Sequence, residues 1–367
     1  MASSSYVFTS AWNGSVRRHV ALHGHGVDAW EAPVRAASPV VVARGGVQDD
    51  DAVYVGTMDG RIVRLGFHSG TVLGEFPLEG SESGGAVRGL ALAGGVIYAA
   101  AGNYLYAHDP DAGTLWKHEA QPYFSAPVVV GDRVYAMGDD LRAYGLDGTV
   151  AWSHFVYGPP LAPVVADGVV YGMGTHLVFA LDAATGALLW QAEVQTGHPD
   201  HYGLAVAGGR VYASGKSSLY VLDAATGSPE WKAEPGADVT PPAATMDGEL
   251  VLAAAAHGDG LKYLHAWHAA DGTERWVSQV AVGTAEHSVS AAAEDPGLSN
   301  HVFVTSEDRH AYAFSASDGW LAWRAEIDVD ESLPLRPVAS EDPPAFAPAP
   351  GCLGMLLAPW RAFRRGS

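Results

Sequence analysis

The chain has 367 residues, 48% of them hydrophobic, with a formal net charge of −20 and a single cysteine, Cys352. That charge excludes the basic footprint that phosphate binding needs, and with it nucleic acid as a partner; one cysteine excludes an internal disulfide framework. No apolar run reaches the ~18 residues of a membrane helix. The opening MASSSYVFTSAWNGS has neither a basic nor an apolar signal region, so a cytoplasmic location is expected unless a longer exported precursor has been trimmed.

In chain order, the first element, YVFTSAWNGSVRRHVAL, reads as two strands of a unit whose first strand is missing, and ALHGHGVDAW follows, ending at Trp30. The phrase then recurs in relaxed form, A-x-D-x-x-[TD]-G-x-x-x-W. It appears as LGFHSGTVLG, with Gly74 in the place of tryptophan, and then as phrases ending at Trp116, Trp152, Trp190, Trp231, Trp276 and Trp323. The spacings of 44, 42, 36, 38, 41, 45 and 47 residues define eight repeats, a period typical of propellers and solenoids. Each interval holds three further short apolar runs. In the fifth they are APVVADG, VVYGMG and HLVFALD, ahead of ALLWQAEV. Valine-rich runs broken by Gly/Asp turns predict four short antiparallel strands per repeat, and no helical period competes with them.

The missing first strand finds a candidate beyond the last tryptophan, in LPLRPVAS at 333–340, which resembles the first strands LAPVVAD and SAPVVVG. The expected fold is therefore all-β: an eight-bladed β-propeller of four-stranded antiparallel blades, its ring closed by a C-terminal strand that completes the N-terminal blade. Residues 1–340 form the ring on this reading. Residues 341–367 form a Pro/Ala-rich linker and a short apolar-basic tail whose Arg361, Arg364 and Arg365 suit a partner or an anionic membrane surface, against the alternative of a disordered or cap-packing tail.

Repetition also assigns the phrase its role. Its glycine supplies a left-handed turn conformation, its aspartate caps that turn, and its tryptophan buries a large plate between blades. Trp30, Trp116, Trp152, Trp190, Trp231, Trp276 and Trp323 are structural docking residues on this reading, and blade two, with Gly74, is expected to be locally looser. The phrase resembles the tryptophan-docking motif of pyrroloquinoline-quinone-type (PQQ-like) repeats. That resemblance implies the fold of the quinoprotein dehydrogenases and of the propeller lipoprotein of the outer-membrane β-barrel assembly machinery. It does not carry their functions here. The dehydrogenases have an adjacent cysteine pair over the quinone, which one cysteine does not supply, and the lipoprotein has an exported, lipidated N-terminal cysteine. No quinone cofactor is expected.

Functional residues are expected on the face made by the interblade loops and the hairpins between second and third strands. Tyr123, Phe124, Tyr157 and Tyr202 lie at or near the starts of innermost strands, Trp12 lies in a hairpin, and Arg88 opens an innermost strand; together they suit a flat ligand or a partner's side chains, or else plug the hole of the ring. For Arg88, an anionic ligand or nearby carboxylates are the two candidate partners. His198, Asp200 and His201 share the loop GHPDHYG near His176, and His257, Asp259 and His287 stand two blades round. Converging imidazoles there make a metal or acid–base site the alternative to solvated loop histidines. Asp328, Asp330 and Glu331, near Glu307 and Asp308, are a calcium candidate without EF-hand spacing. Phosphate-loop, nucleophile-elbow, zincin and paired-cysteine motifs are all absent. The leading expectation is a non-catalytic binding or scaffold propeller that presents its loop face to a protein or peptide. The alternatives are an enzyme using His201, His287 and His257 at the channel mouth, with a metal ion possible, and a small-ligand sensor.

Overall fold

Second and third strands of most repeats are largely apolar, whereas the fourth alternates. In the fifth repeat, Val169–Gly174 and Leu177–Asp182 are buried along nearly their whole length, while Leu188–Glu193 is exposed on either side of Trp190. A strand enclosed between two neighbouring sheets hides both faces, and one at the outer rim hides a single face. In the computed structural model, residues 5–10, 14–22, 25–43, 51–79, 85–195, 203–245, 247–284, 293–294, 301–306, 310–326 and 354–357 are described. They form eight antiparallel sheets of four strands, that of blade seven widened by Gly283–Thr284, with no helix among the described residues. Blades are numbered here by their repeats. First strands of neighbouring blades touch around the centre, among them Val128–Val130 against Val164–Ala166 and Leu204–Ala207 against Ala243–Ala244, so the chain runs outward in each blade. The eight-bladed β-propeller expected from the repeats is the fold.

Ring closure comes from the C-terminal region, but not from the segment expected. Gly354–Leu357 pairs antiparallel with Ser5–Ser10, in register from Val7 opposite Leu357 to Ser10 opposite Gly354, and supplies the innermost strand of blade one. Residues 333–340 lie outside the described residues. The four residues that close the ring are taken from the segment read as tail.

Every blade carries a register shift between its third and fourth strands, one residue before the docking position. In blade five, Ala180 faces Trp190 and Leu181 faces Leu188, which leaves Leu189 unpaired. The same shift occurs in blade two, where Arg64 faces Gly74 and Leu65 faces Val72. A bulge of one residue increases local twist and re-aims the next side chain, here turning the tryptophan from its own sheet into the seam.

In that seam the indole N–H donates to a backbone carbonyl of the following blade. Trp30 reaches Phe67 O at 2.9 Å, Trp152 reaches Ala183 O at 3.0 Å, Trp190 reaches Ala224 O at 2.9 Å and Trp276 reaches Ala316 O at 2.8 Å. Trp116 and Trp231 do the same with Leu146 O and Ala269 O. Beneath each ring lies the glycine of the next blade's phrase. Gly227 has φ of 72°, and a Cβ built on it would stand 2.5 Å from Trp190 Cε3, so any side chain meets both backbone strain and the indole. Its turn is capped as expected: Asp223 Oδ1 accepts from the Thr226 amide at 2.8 Å and from its hydroxyl at 2.7 Å, bonds that hold the carboxyl below its usual range.

Blade two, lacking its tryptophan, seals the seam to blade three by other means. Phe76 folds back over Gly74 and meets the His108 ring at 5.8 Å, while the Tyr106 hydroxyl donates to Glu79 O at 2.9 Å. Burial pushes the Tyr106 hydroxyl up to about 12. The glycine that a tryptophan at 74 would have covered, Gly113, has no atom within 4 Å of its built Cβ. His108 is buried in this seam, and its Nδ1 makes no hydrogen bond.

Candidate functional site

Loops that join one blade to the next and hairpins between second and third strands share one end of the ring. Of the residues expected there, Trp12, His198, Asp200, His201, Tyr202, His287, Glu307, Asp308, Asp328, Asp330 and Glu331 lie outside the described residues.

One of the expected face residues belongs to the interior, and a second is held against a neighbouring ring. Phe124 is 1% exposed and packs with Tyr98, Leu105, Ala136 and Tyr144 between blades three and four, so it is a core residue and not part of a partner face. Its loop crosses directly over the seam, and Gly138 beneath it leaves room for the ring. Arg88 meets an aromatic ring and a backbone carbonyl among the described residues, and no carboxylate is paired with it there. Its guanidinium stacks on the Tyr123 ring at 4.6 Å and donates to Gly102 O at 3.4 Å. The partly buried cation meets a π face, and burial pulls its pKa below the usual arginine value.

His257, expected at the channel mouth, turns inward. Its Nε2 lies 2.8 Å from Nε2 of His265, whose Nδ1 lies 2.8 Å from Glu274 Oε1. His265 is 3% exposed and stacks on Trp267 with centroids 5.3 Å apart and planes 3° from parallel. A carboxylate, a buried imidazole and a hairpin imidazole thus form one hydrogen-bonded chain across blade seven. Neither His265 nor Glu274 was singled out in the sequence, because strand positions with a period of two carry no signal of such a chain. Burial lowers the pKa of His265, against the opposing effect of its hydrogen bond to Glu274. No group of three or more His, Cys, Asp or Glu among the described residues is arranged to hold a metal ion.

Blade four is where the face becomes apolar. Tyr157, in the loop to blade five, is 76% exposed, and Phe155, at the end of Val150–Phe155, is 73% exposed. The repeats make this pair stand out. The third residue after the docking tryptophan is Glu119 in blade three, Glu193 in blade five and Glu234 in blade six, but Phe155 in blade four. The fifth is Gln121 in blade three and Gln195 in blade five, but Tyr157 in blade four. Aligning the repeats on tryptophan would have found Phe155 in the sequence.

Tyr157 is tied to its neighbour through the backbone: Thr175 N donates to Tyr157 O at 2.8 Å, and Val194 N donates to His176 O at 3.1 Å. His176 sits at the tip of this hairpin with φ of 60°, an uncommon conformation for a residue with a side chain. Beyond it a cleft of about 480 Å³ opens between blades five and six, lined by His176, Glu193, Val194, Gln195, Tyr220 and Lys232. The Tyr220 hydroxyl accepts from Gln195 N at 3.2 Å, and Lys232 lies 5.2 Å from the Tyr220 ring and 2.7 Å from Glu234 Oε1.

Among solved structures, BamB from Moraxella catarrhalis matches with a TM-score of 0.61 and 16% identity, over 84% of this chain and 88% of that one. The computationally designed Ika8 protein matches with a TM-score of 0.62 and 17% identity, over 80% and 88%. Quinohemoprotein alcohol dehydrogenase ADHIIG from Pseudomonas putida HK5 matches with a TM-score of 0.61 and 14% identity, over 80% and 67%. At these identities the likeness is one of fold. No curated protein matches the chain. The family described as outer membrane protein assembly factor BamB matches residues 12–175, 58–278 and 261–344, most of the chain. With its docking phrase, bulged outer strands and closed ring of eight blades, the chain belongs to this family of PQQ-like repeat propellers.

Proposed function

We propose that the chain is a non-catalytic binding propeller that engages a protein or peptide through the loop face of blades four and five. The observation that carries this reading is the exposure of Phe155 and Tyr157, 73% and 76%, at positions that blades three and five fill with glutamate and glutamine. Exposed aromatics that the framework does not require are the side chains on which interfaces concentrate their energy. Among the described residues, the docking tryptophans are spent in seams, Phe124 in the core, Arg88 on Tyr123 and the Nε2 of His257 inside blade seven. The family's description as an assembly factor accords with work carried out among other proteins. Of the histidines expected in an enzymatic site, only His257 is among the described residues, and it faces His265.

Position-specific photocrosslinking in the chain's own host tests this. With p-benzoylphenylalanine at 157, one adduct of discrete mass is expected, and it should disappear when Phe155→Ser is added. The same probe at Leu188, exposed at the opposite end of an outer strand, should give no adduct. Equal labelling at both positions, or none at 157, would overturn the reading.

A further inference from the structure

Resting on that reading of the loop face, we infer that the segment it receives is basic: an extended stretch of another polypeptide whose arginine or lysine lies on Phe155 and Tyr157 and pairs with the carboxylates beside them.

Three observations converge on this partner. First, the blades to either side present acids at the position that Phe155 fills in blade four. Glu119 and Glu193 are exposed and make no ion pair among the described residues. The other acids nearby are engaged: Asp140, opposite Phe155 in the ladder, and Asp139 both face Arg142, at 3.6 and 2.9 Å, and Glu234 is held by Lys232. Second, the chain itself shows what pairs with an aromatic ring at this end of a blade. In blade three, Lys117 lies 5.0 Å from the Tyr104 ring, and in blade six, Lys232 lies 5.2 Å from the Tyr220 ring. Both lysines directly follow the docking tryptophan. In blade four that position is Ser153, so two aromatics are displayed and no lysine follows the docking tryptophan. Third, the net charge of −20 draws basic segments and repels acidic ones.

The geometry suits an extended segment. Phe155 and Tyr157 are two residues apart, the backbone bonds Thr175 N to Tyr157 O and Val194 N to His176 O fix blade five's hairpin beside them, and the cleft follows with Glu193 as its unpaired charge. A planar guanidinium stacks on an aromatic face and still offers its edge to a carboxylate, which makes arginine the better occupant of the two.

The test uses the full chain and three fluorescein-labelled 12-residue peptides, alternating valine with arginine, with glutamate or with glutamine, followed by fluorescence anisotropy at low and moderate salt. The arginine peptide is expected to bind, and more weakly as salt screens the carboxylates. The double variant Phe155→Ser/Tyr157→Ser, whose two sites are exposed and whose melting should be unchanged, is expected to weaken binding about tenfold. Glu193→Gln is expected to weaken it about threefold and to flatten its salt dependence. Binding of the glutamine or glutamate peptide as tightly as the arginine peptide, still lost in the double variant, overturns the basic partner and leaves the loop face standing. Arginine-peptide binding that is unaltered in the double variant overturns both. No binding by any of the three overturns the basic partner.

Discussion

Replacing Gly227 by alanine is expected to destabilise the ring by about 3 kcal/mol, whereas the same change at Gly113 is expected to cost only about 1 kcal/mol. Both glycines occupy the same place in the repeat and the same left-handed conformation, with φ of 72° and 86°. They differ in what lies above them. A methyl at 227 enters the space of the buried Trp190 ring, 2.5 Å from Cε3, and the indole cannot retreat without giving up its bond to Ala224 O. A methyl at 113 meets nothing within 4 Å, because Gly74 stands where the covering tryptophan would be. Gly113→Ala therefore measures the backbone penalty alone, and the difference between the two variants measures the docking of one blade on the next. Urea unfolding of both, read by tryptophan fluorescence, checks this: equal midpoints would mean that the seams are not held by the indole plates. Trp190→Ala, which leaves a cavity in the same seam, should fall at or beyond Gly227→Ala, in the range of about 3–5 kcal/mol.

Acidification from pH 7 to 5 is expected to destabilise the protein, and two buried histidines among the described residues are the expected cause. His265 and His108 are each held below the ordinary imidazole value of 6.5, in both cases mainly because burial penalises the charged ring. The unfolded chain therefore takes up a proton first as the pH falls. The stability these groups contribute is complete above the unfolded value and is lost as pH drops below it toward the folded values. Each proton bound by the unfolded chain alone lowers stability by about 1.4 kcal/mol per pH unit. At His265 the event has a geometric meaning. The bond between His257 Nε2 and His265 Nε2 at 2.8 Å needs one ring to donate and the other to accept, and when both are fully protonated two N–H groups oppose each other. Glu274 on the far side of His265 lies 2.8 Å from its Nδ1 and accepts from it. In a double variant, His265→Gln/His108→Gln, the slope of the urea midpoint between pH 7 and 5 should flatten. A slope that stays unaltered would place the acid sensitivity elsewhere. The turn-capping aspartates, such as Asp182 and Asp223, are shifted in the opposite sense from neutrality, below their ordinary values, and so act in a separate and more acidic window.

Much of the ring was legible in the residues because its rules are local and repeated. Turn, cap and docking residue sit within one phrase of about ten residues, and each of the repeats states it again, so even blade two was recognisable by what it lacked. The candidate site was only partly legible. Tyr157 was found because it lies in a loop, but Phe155 was not, since it ends an outer strand and reads as one more apolar residue until the blades are aligned. Phe124 was misplaced because the start of an innermost strand borders the loop face and the seam at once, and no property of the residue itself says which of the two it enters.

By itself, then, the sequence determined the fold, the number and order of the strands, the burial of the repeated tryptophans between blades and the closure of the ring by its C-terminal region. All of these follow from hydrophobic period and turn chemistry over short spans. Only the tertiary structure decided that Gly354–Leu357 closes the ring, that a bulge in each outer strand aims the indole, that Phe76 stands in for a missing tryptophan, and that Glu274, His265 and His257 form one chain. Each of these depends on residues brought together across a sheet, a seam or the full length of the chain. Local pattern carries no record of such contacts, because they are chosen by which surfaces remain to be covered once the blades have packed.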